Sequence, residues 1–141
     1  LEFALPIRIY IEDTDAGGIV YYVNYLTYFE RARTELIRSM GVDKTAVMAD
    51  GSVFVVTSAS IDYLLPVRLD DEVVVNAKVI TAGGASIVFE QAVLRGEQVL
   101  ARGQVTAALT DGKTGKPKRM PIGLRKVLKG ALIPKEVTDD R

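Results

Sequence analysis

Hydrophobic and polar positions change period along the chain, and each change marks a new element. From Phe3 to Ile11 they alternate loosely, with Ile7, Ile9 and Ile11 on one side and Arg8 and Tyr10 on the other. That period of two predicts a strand. Pro6 has no N–H to give to a ladder and puts the strand at an edge or a bulge. Residues 12–18 are turn chemistry, ending in Ala16-Gly17-Gly18. From Tyr22 to Met40 the period lengthens. Tyr25, Phe29, Ala32, Leu36 and Met40 recur at spacings of three and four, flanked by Leu26 and Ile37, while Glu30, Arg31, Thr34 and Arg38 take other faces. This predicts an amphipathic helix roughly 28 Å long at about 1.5 Å per residue. Gly41 suits the left-handed residue that follows a helix. The helix starts at Tyr22 or, with Asn24 as its cap, about one turn later.

After the helix the β-branched residues gather. Strands are predicted over Val53 to Tyr63, Glu72 to Ile80, Ser86 to Arg95 and Gln98 to Leu109. Gly83-Gly84 and Arg95-Gly96-Glu97 read as hairpin turns, and Asp111-Gly112 ends the last strand. A short helix follows at about Ile122 to Leu128. The expected organisation is one domain over 1–133 with a polar, mobile tail over 134–141. One strand, one long helix and four strands joined by short turns favour antiparallel pairing. The apolar face of the helix and that of the sheet must bury each other, so the predicted class is α+β, a curved antiparallel sheet wrapped around the helix.

Composition narrows the chemistry. At 48% hydrophobic residues, a chain of 141 can fill a core. Eighteen acidic and eighteen basic residues cancel, which argues against sequence-independent nucleic-acid binding without excluding a local basic patch. There is no cysteine, so disulfides and thiolate catalysis are excluded, and a reducing, cytoplasmic setting is expected. There is no histidine either, which removes Ser-His-Asp machinery and His-based metal sites. An enzyme built from this chain must use carboxylates, hydroxyls, Lys, Arg, Tyr or backbone groups. No apolar run reaches the length of a membrane span, and the first residues lack the features of a signal peptide.

One ordered string goes beyond composition. It runs Ile9-Tyr10-Ile11-Glu12-Asp13-Thr14-Asp15-Ala16-Gly17-Gly18-Ile19-Val20-Tyr21-Tyr22-Val23-Asn24-Tyr25 and continues through Phe29-Glu30-Arg31-Ala32-Arg33-Thr34-Glu35. A second stretch is Asp62-Tyr63-Leu64-Leu65-Pro66-Val67-Arg68-Leu69-Asp70-Asp71. Over residues 5–110 the chain resembles the 4-hydroxybenzoyl-CoA thioesterase family, including acyl-CoA thioesterases associated with the Tol–Pal system. The resemblance implies a hotdog fold, a homodimer or dimer of dimers with active sites at the subunit interface, and hydrolysis of acyl-CoA or another pantetheine thioester without cofactor or metal. It also implies that Asp15 is the catalytic carboxylate near the start of the long helix. Many members have histidine where Tyr22 stands, and the 4-hydroxybenzoyl-CoA branch has tyrosine. Some members carry a basic cluster for CoA phosphates in the turn that here reads Ala82-Gly83-Gly84-Ala85. With no charge in that turn, Arg68 and the segment 116–119 become candidates for the phosphates.

These residues suit thioester hydrolysis. A carboxylate can attack the carbonyl carbon or activate a water. The N–H of Tyr22, with Val23 beside it, can hold the oxyanion at the positive end of the helix dipole. Gly17 and Gly18 let the backbone turn sharply and approach a ligand. Thr57 is the strand residue chosen to face a partner's carboxylate across a dimer. Each has a plainer reading. Asp15 is otherwise an Asx-turn residue, Thr57 an ordinary strand residue, and Glu12 and Asp13 solvated or bonded to the turn. Glu30, Arg31, Arg33 and Glu35 are expected in ion pairs on the helix or at an interface. The rival function is a non-catalytic protein of the same fold that binds acyl thioesters or serves in assembly. Two lookalikes fail. The twelfth position of an Asp13-based calcium loop is Asn24, and the glycine needed before Gly112-Lys113-Thr114 is Ala107.

Overall fold

A computed structural model of the chain describes residues 2–41 and 50–132, so the tail over 134–141 lies outside the described residues. Strand β1 (Glu2–Arg8) leads through a single 3-10 turn (Ile11–Asp13) to helix α1 (Asn24–Ser39). Strands β2 (Val53–Tyr63), β3 (Glu72–Ala82), β4 (Ser86–Arg95) and β5 (Gln98–Thr110) follow, then helix α2 (Ile122–Gly130). The five strands form one curved antiparallel sheet in the order β1-β3-β4-β5-β2. This is the expected α+β arrangement, with α1 packed over the face of β1, β3 and β4.

The alternation read in the sequence explains why α1 sits there. Val73, Val75, Ala77 and Val79 of β3 are buried, as are Ile87, Phe89, Gln91 and Val93 of β4. They meet Tyr25, Tyr28, Phe29, Ala32, Leu36 and Ile37 of α1, which form the helix's buried stripe. Each large apolar side chain sealed here stabilises the fold by roughly 1.5–3 kcal/mol. One contact sets the height of the helix above the sheet. A Cβ on Gly103 would lie 2.9 Å from the Phe29 ring and 2.3 Å from the carbonyl oxygen of Ser60. Only glycine leaves room for the ring and the neighbouring strand together. Gln91, buried in this apolar layer, donates Nε2 to the carbonyls of Phe29 (2.9 Å) and Asn76 (3.1 Å). Its amide is thereby satisfied and ties helix to sheet.

Two expectations at the ends of elements are corrected. β1 stops at Arg8, so Ile11 does not share a face with Ile7 and Ile9 and is 75% exposed. The chain leaves the sheet once Ile9 exchanges backbone bonds with Asp70 and Asp71. Leu26, expected beside the buried stripe, is also exposed, and Tyr28 takes the buried place instead. Pro6 does lie in an edge strand. Gly41 has the left-handed conformation expected after α1, with φ +87°.

Candidate active site at the start of the long helix

The segment between β1 and α1 is built by local hydrogen bonds. The Asp13 carboxylate accepts from the Tyr10 amide (2.8 Å) and closes the 3-10 turn. Thr14 then bridges to Val20, and the Asp15 amide donates to the Ile19 carbonyl (3.0 Å). Inside that loop the Gly18 amide donates to the Asp15 carbonyl (3.1 Å), and Gly18 takes φ +75°, a conformation natural to glycine. The Gly17 amide donates to Asp15 Oδ1 at 2.9 Å. Asp15 is therefore an Asx-turn residue, as its plainer reading held. That bond orients the carboxyl group and uses one oxygen. Oδ2 makes no hydrogen bond among the described residues, and the side chain is exposed.

The helix start is tied to the same turn. The Asp13 carbonyl accepts from the Tyr21 amide (3.0 Å) and from Asn24 Nδ2 (2.8 Å). Tyr22 is thus the residue after one anchored to the carboxylate-bearing loop. The helix begins at Asn24, not Tyr22, and Asn24 does not cap it, because its side chain is committed to Asp13. The capping position falls to Val23, which has no side-chain acceptor to offer. The first bonds are of the tight kind, Asn24 to Tyr21 (2.9 Å), Tyr25 to Tyr22 (3.3 Å) and Leu26 to Val23 (3.2 Å). The amides of Tyr22 and Val23 have no partner among the described residues. They are the unsatisfied donors that every helix start leaves, here at the end of the loop that carries Asp15.

Arg68 is brought to the same place. The stretch 67–69 runs beside 18–20, with Val20 donating to Val67 (2.8 Å), Leu69 to Gly18 (3.0 Å), and a bridge between Ile19 and Arg68. Asp71 fixes the Arg68 backbone by accepting its amide at 2.8 Å. Asp15, Gly17, Gly18, Tyr22, Val23 and Arg68 therefore form one neighbourhood. Thr57 does not join them within the chain. It is the extra residue of a bulge in β2, between Val56 paired with Ala107 and Ser58 paired with Thr106, and its hydroxyl donates to the Thr106 carbonyl (3.3 Å).

Sequence reasoning missed an aromatic wall. The Tyr63 ring stands edge-on to Tyr25 at 5.0 Å and to Tyr22 at 6.3 Å, and its hydroxyl donates to the Tyr22 carbonyl (3.3 Å). Burial raises the pKa values of Tyr25 and Tyr63. Both hydroxyls are therefore neutral at ordinary pH. Tyr28, beneath them, is raised much further, first by burial and then by Asp13. The signal was available, since Tyr63 belongs to the second matching stretch, but a strand pattern does not say which ring meets which.

Within the chain Arg33 departs from the ion pair expected on the helix. Among the described residues it has no ion pair. It donates to Gln91 Oε1 (3.0 Å), and its guanidinium lies 5.9 Å from the centre of the Phe89 ring. Burial lowers its pKa, a small matter for a group that stays charged. Its spacing of four from Phe29 turns it inward. Glu30 instead accepts from the Thr34 hydroxyl (2.5 Å), while Arg38 does pair with Glu35. Arg33, Ile37, Phe54, Val56 and Phe89 line a cavity of about 230 Å³ between α1 and the open side of β2. At the far end of the sheet, Arg119 Nη1 lies 3.3 Å from where a Cβ of Gly84 would stand. The turn over 82–85 has no charge of its own, and the segment after β5 lays one against it. Among the described residues no cluster of three or more acidic side chains could hold a metal ion.

Comparison with known proteins finds relatives over most of the chain. The model of the Thioesterase superfamily matches residues 17–102. The chain is 40% identical over 130 residues to an acyl-CoA thioesterase YbgC of Haemophilus influenzae, covering 92% of this chain and 93% of that protein. It is 38% identical over 120 residues to an acyl-CoA thioester hydrolase YbgC of Escherichia coli O6:H1, covering 84% and 90%. A crystal structure of a probable thioesterase from Bartonella henselae superposes with TM-score 0.80 at 32% identity, over 86% of this chain and all of that one.

Proposed function

The chain belongs to the thioesterase superfamily, and we propose that it hydrolyses acyl-CoA thioesters with Asp15 as the reacting carboxylate and the amides of Tyr22 and Val23 as the oxyanion site. The observation that carries this reading is that one anchored segment holds both a carboxyl oxygen and two helix-start amides without hydrogen bonds among the described residues. In the nucleophilic route Asp15 adds to the thioester carbonyl, the coenzyme A thiolate leaves, and water cleaves the resulting mixed anhydride. In the general-base route Asp15 takes a proton from a water as that water attacks, and the proton follows the thiolate out. In both, negative charge grows on the carbonyl oxygen, where donors fixed in advance are worth most.

β2 is an edge strand with Val55 and Val56 exposed on it, an edge that monomers normally protect. A second copy pairing there makes a homodimer, brings Thr57 toward the partner's carboxylate turn and closes the cavity beside Arg33. Dimers pairing again give a dimer of dimers. The exposed side chains of Val23 and Leu26 lead along α1 from the free amides toward that cavity, a path suited to an acyl chain. Arg68 and Arg119, at opposite ends of β3, are the two alternatives for binding the phosphates of coenzyme A or of another pantetheine carrier. A cytoplasmic setting completes the proposal, consistent with a chain free of cysteine. A non-catalytic role drew support from an uncharged turn, and Arg119 against Gly84 weakens that support.

The test is release of free thiol from a panel of aliphatic and aromatic acyl-CoAs. Turnover of at least one class is expected. Binding across the panel with no turnover would replace the hydrolase by a binding protein.

A further inference from the structure

The formal charge of zero conceals a strong separation. Residues 112–132 carry seven lysines and arginines and no acid, while the other eleven bases share the remainder of the chain with all eighteen acids. This basic segment lies beyond the stretch matched by the family model, which ends at residue 102. It is held in place at several points. Lys118 donates its backbone amide to Leu109 and pairs through Nζ with Asp50 (2.9 Å), and the Met120 amide donates to Gly84 (2.7 Å). Leu124, Leu128 and Ala131 then bury one face of α2.

The face left outward is of mixed character. At 100° per residue, Ile122, Lys126 and Lys129 stand together opposite Leu124, Leu128 and Ala131. Ile122 is 67% exposed, and Val127 and Leu132 elsewhere on this segment are also exposed. Neither Lys126 nor Lys129 has an ion pair among the described residues. Apolar residues between cations on a helix lying flat on its domain match the boundary of an anionic bilayer, where headgroups meet the cations and acyl chains accept the apolar side chains. Nucleic acid fits less well, since residues 112–132 contain no aromatic side chain on which a base could stack.

We propose that the outward face of α2 docks this protein on an anionic lipid surface through Lys126, Lys129 and Ile122. The motive for such docking rests on the proposed function, while its residues lie outside the proposed site. An enzyme acting on amphiphiles gains by resting where its substrates and fatty-acid products partition.

The test is co-sedimentation of the full chain with vesicles of phosphatidylcholine alone or with about one third phosphatidylglycerol. In 0.1 M salt the anionic vesicles should bind roughly tenfold more protein, and 0.5 M salt should release it. Lys126→Glu with Lys129→Glu should remove at least about tenfold of the partitioning, and Ile122→Asp several-fold. Both variants should keep wild-type melting and turnover of a short, soluble acyl-CoA. Equal binding to both vesicle types, or charge reversal without effect, would overturn the proposal. So would release of the protein by 3′,5′-ADP, which would assign these cations to a nucleotide. Retention on duplex DNA without retention on vesicles would assign them to nucleic acid.

Discussion

In the middle of α1, Phe29, Ala32 and Leu36 are fully buried, Gly103 makes room for the ring, and Gln91 bonds the helix backbone to the sheet. At the start of the same helix, Tyr22 is 59% exposed, Val23 42% and Leu26 45%, and among the described residues no side chain caps the first turn and two amides have no partner. The middle obeys every rule of stability, and the first turn breaks several. A helix end that leaves donors open forgoes about 1 kcal/mol that a serine or aspartate cap would add. The packed middle tolerates that loss. The donors forgone by the fold are of the kind an oxyanion needs, so on the proposed function the two halves of one helix divide structure from chemistry.

This division can be broken from either side. Phe29→Ala empties the best-packed position and should cost about 3–5 kcal/mol of stability, read from urea unfolding. At temperatures where the variant is folded, turnover should fall far less than stability does. A comparable loss of both would mean that the core and the site are not separable. Val23→Pro comes next. Val23 already has φ −65°, and its amide makes no bond among the described residues, so proline removes that donor while also restricting Tyr22 before it. Turnover should drop about a hundredfold or more, at least the cost of losing one oxyanion donor, while unfolding shows only the loss of a strained first turn. Unchanged turnover would withdraw the Val23 amide from the oxyanion site and leave the Tyr22 amide alone there.

The smallest effect is a control in neither region. The Asp50 carboxyl is held well below its ordinary 3.8, first by Ser52 and then by Lys118. A depressed carboxylate pKa gives stability that is present above the ordinary value and is lost as pH falls toward the depressed one. Asp50→Asn should therefore flatten the acid limb of the stability profile below about pH 4 and leave neutral turnover alone. An acid limb identical to wild type would show that the link between Asp50 and Lys118 is spent in solvent.

Much of the fold was legible because burial repeats. The stripe of Tyr25, Phe29, Ala32 and Leu36 and the alternation in β3 and β4 specify which faces meet. Ends were less legible, since they depend on bonds that no period encodes. Ile11 kept the alternation but left the sheet, and Asn24 looked like a cap but was taken by the Asp13 carbonyl. At the site, the family string located Asp15, Gly17, Gly18 and Tyr22 together. The gathering of Arg68 beside Gly18, the Tyr63 wall and the reach of Arg119 to Gly84 join residues distant in sequence. Pairings of that kind are written in the topology and not in any local pattern.

The central claim is that the carboxyl group of Asp15 reacts at a thioester beside the free amides. The direct measurement is kcat of Asp15→Asn against wild type on the best acyl-CoA substrate, with melting of both proteins under the same conditions. Asparagine can still accept the Gly17 amide, so the turn and the melting temperature should persist while kcat falls by about three orders of magnitude. A folded Asp15→Asn protein with wild-type kcat would contradict the account.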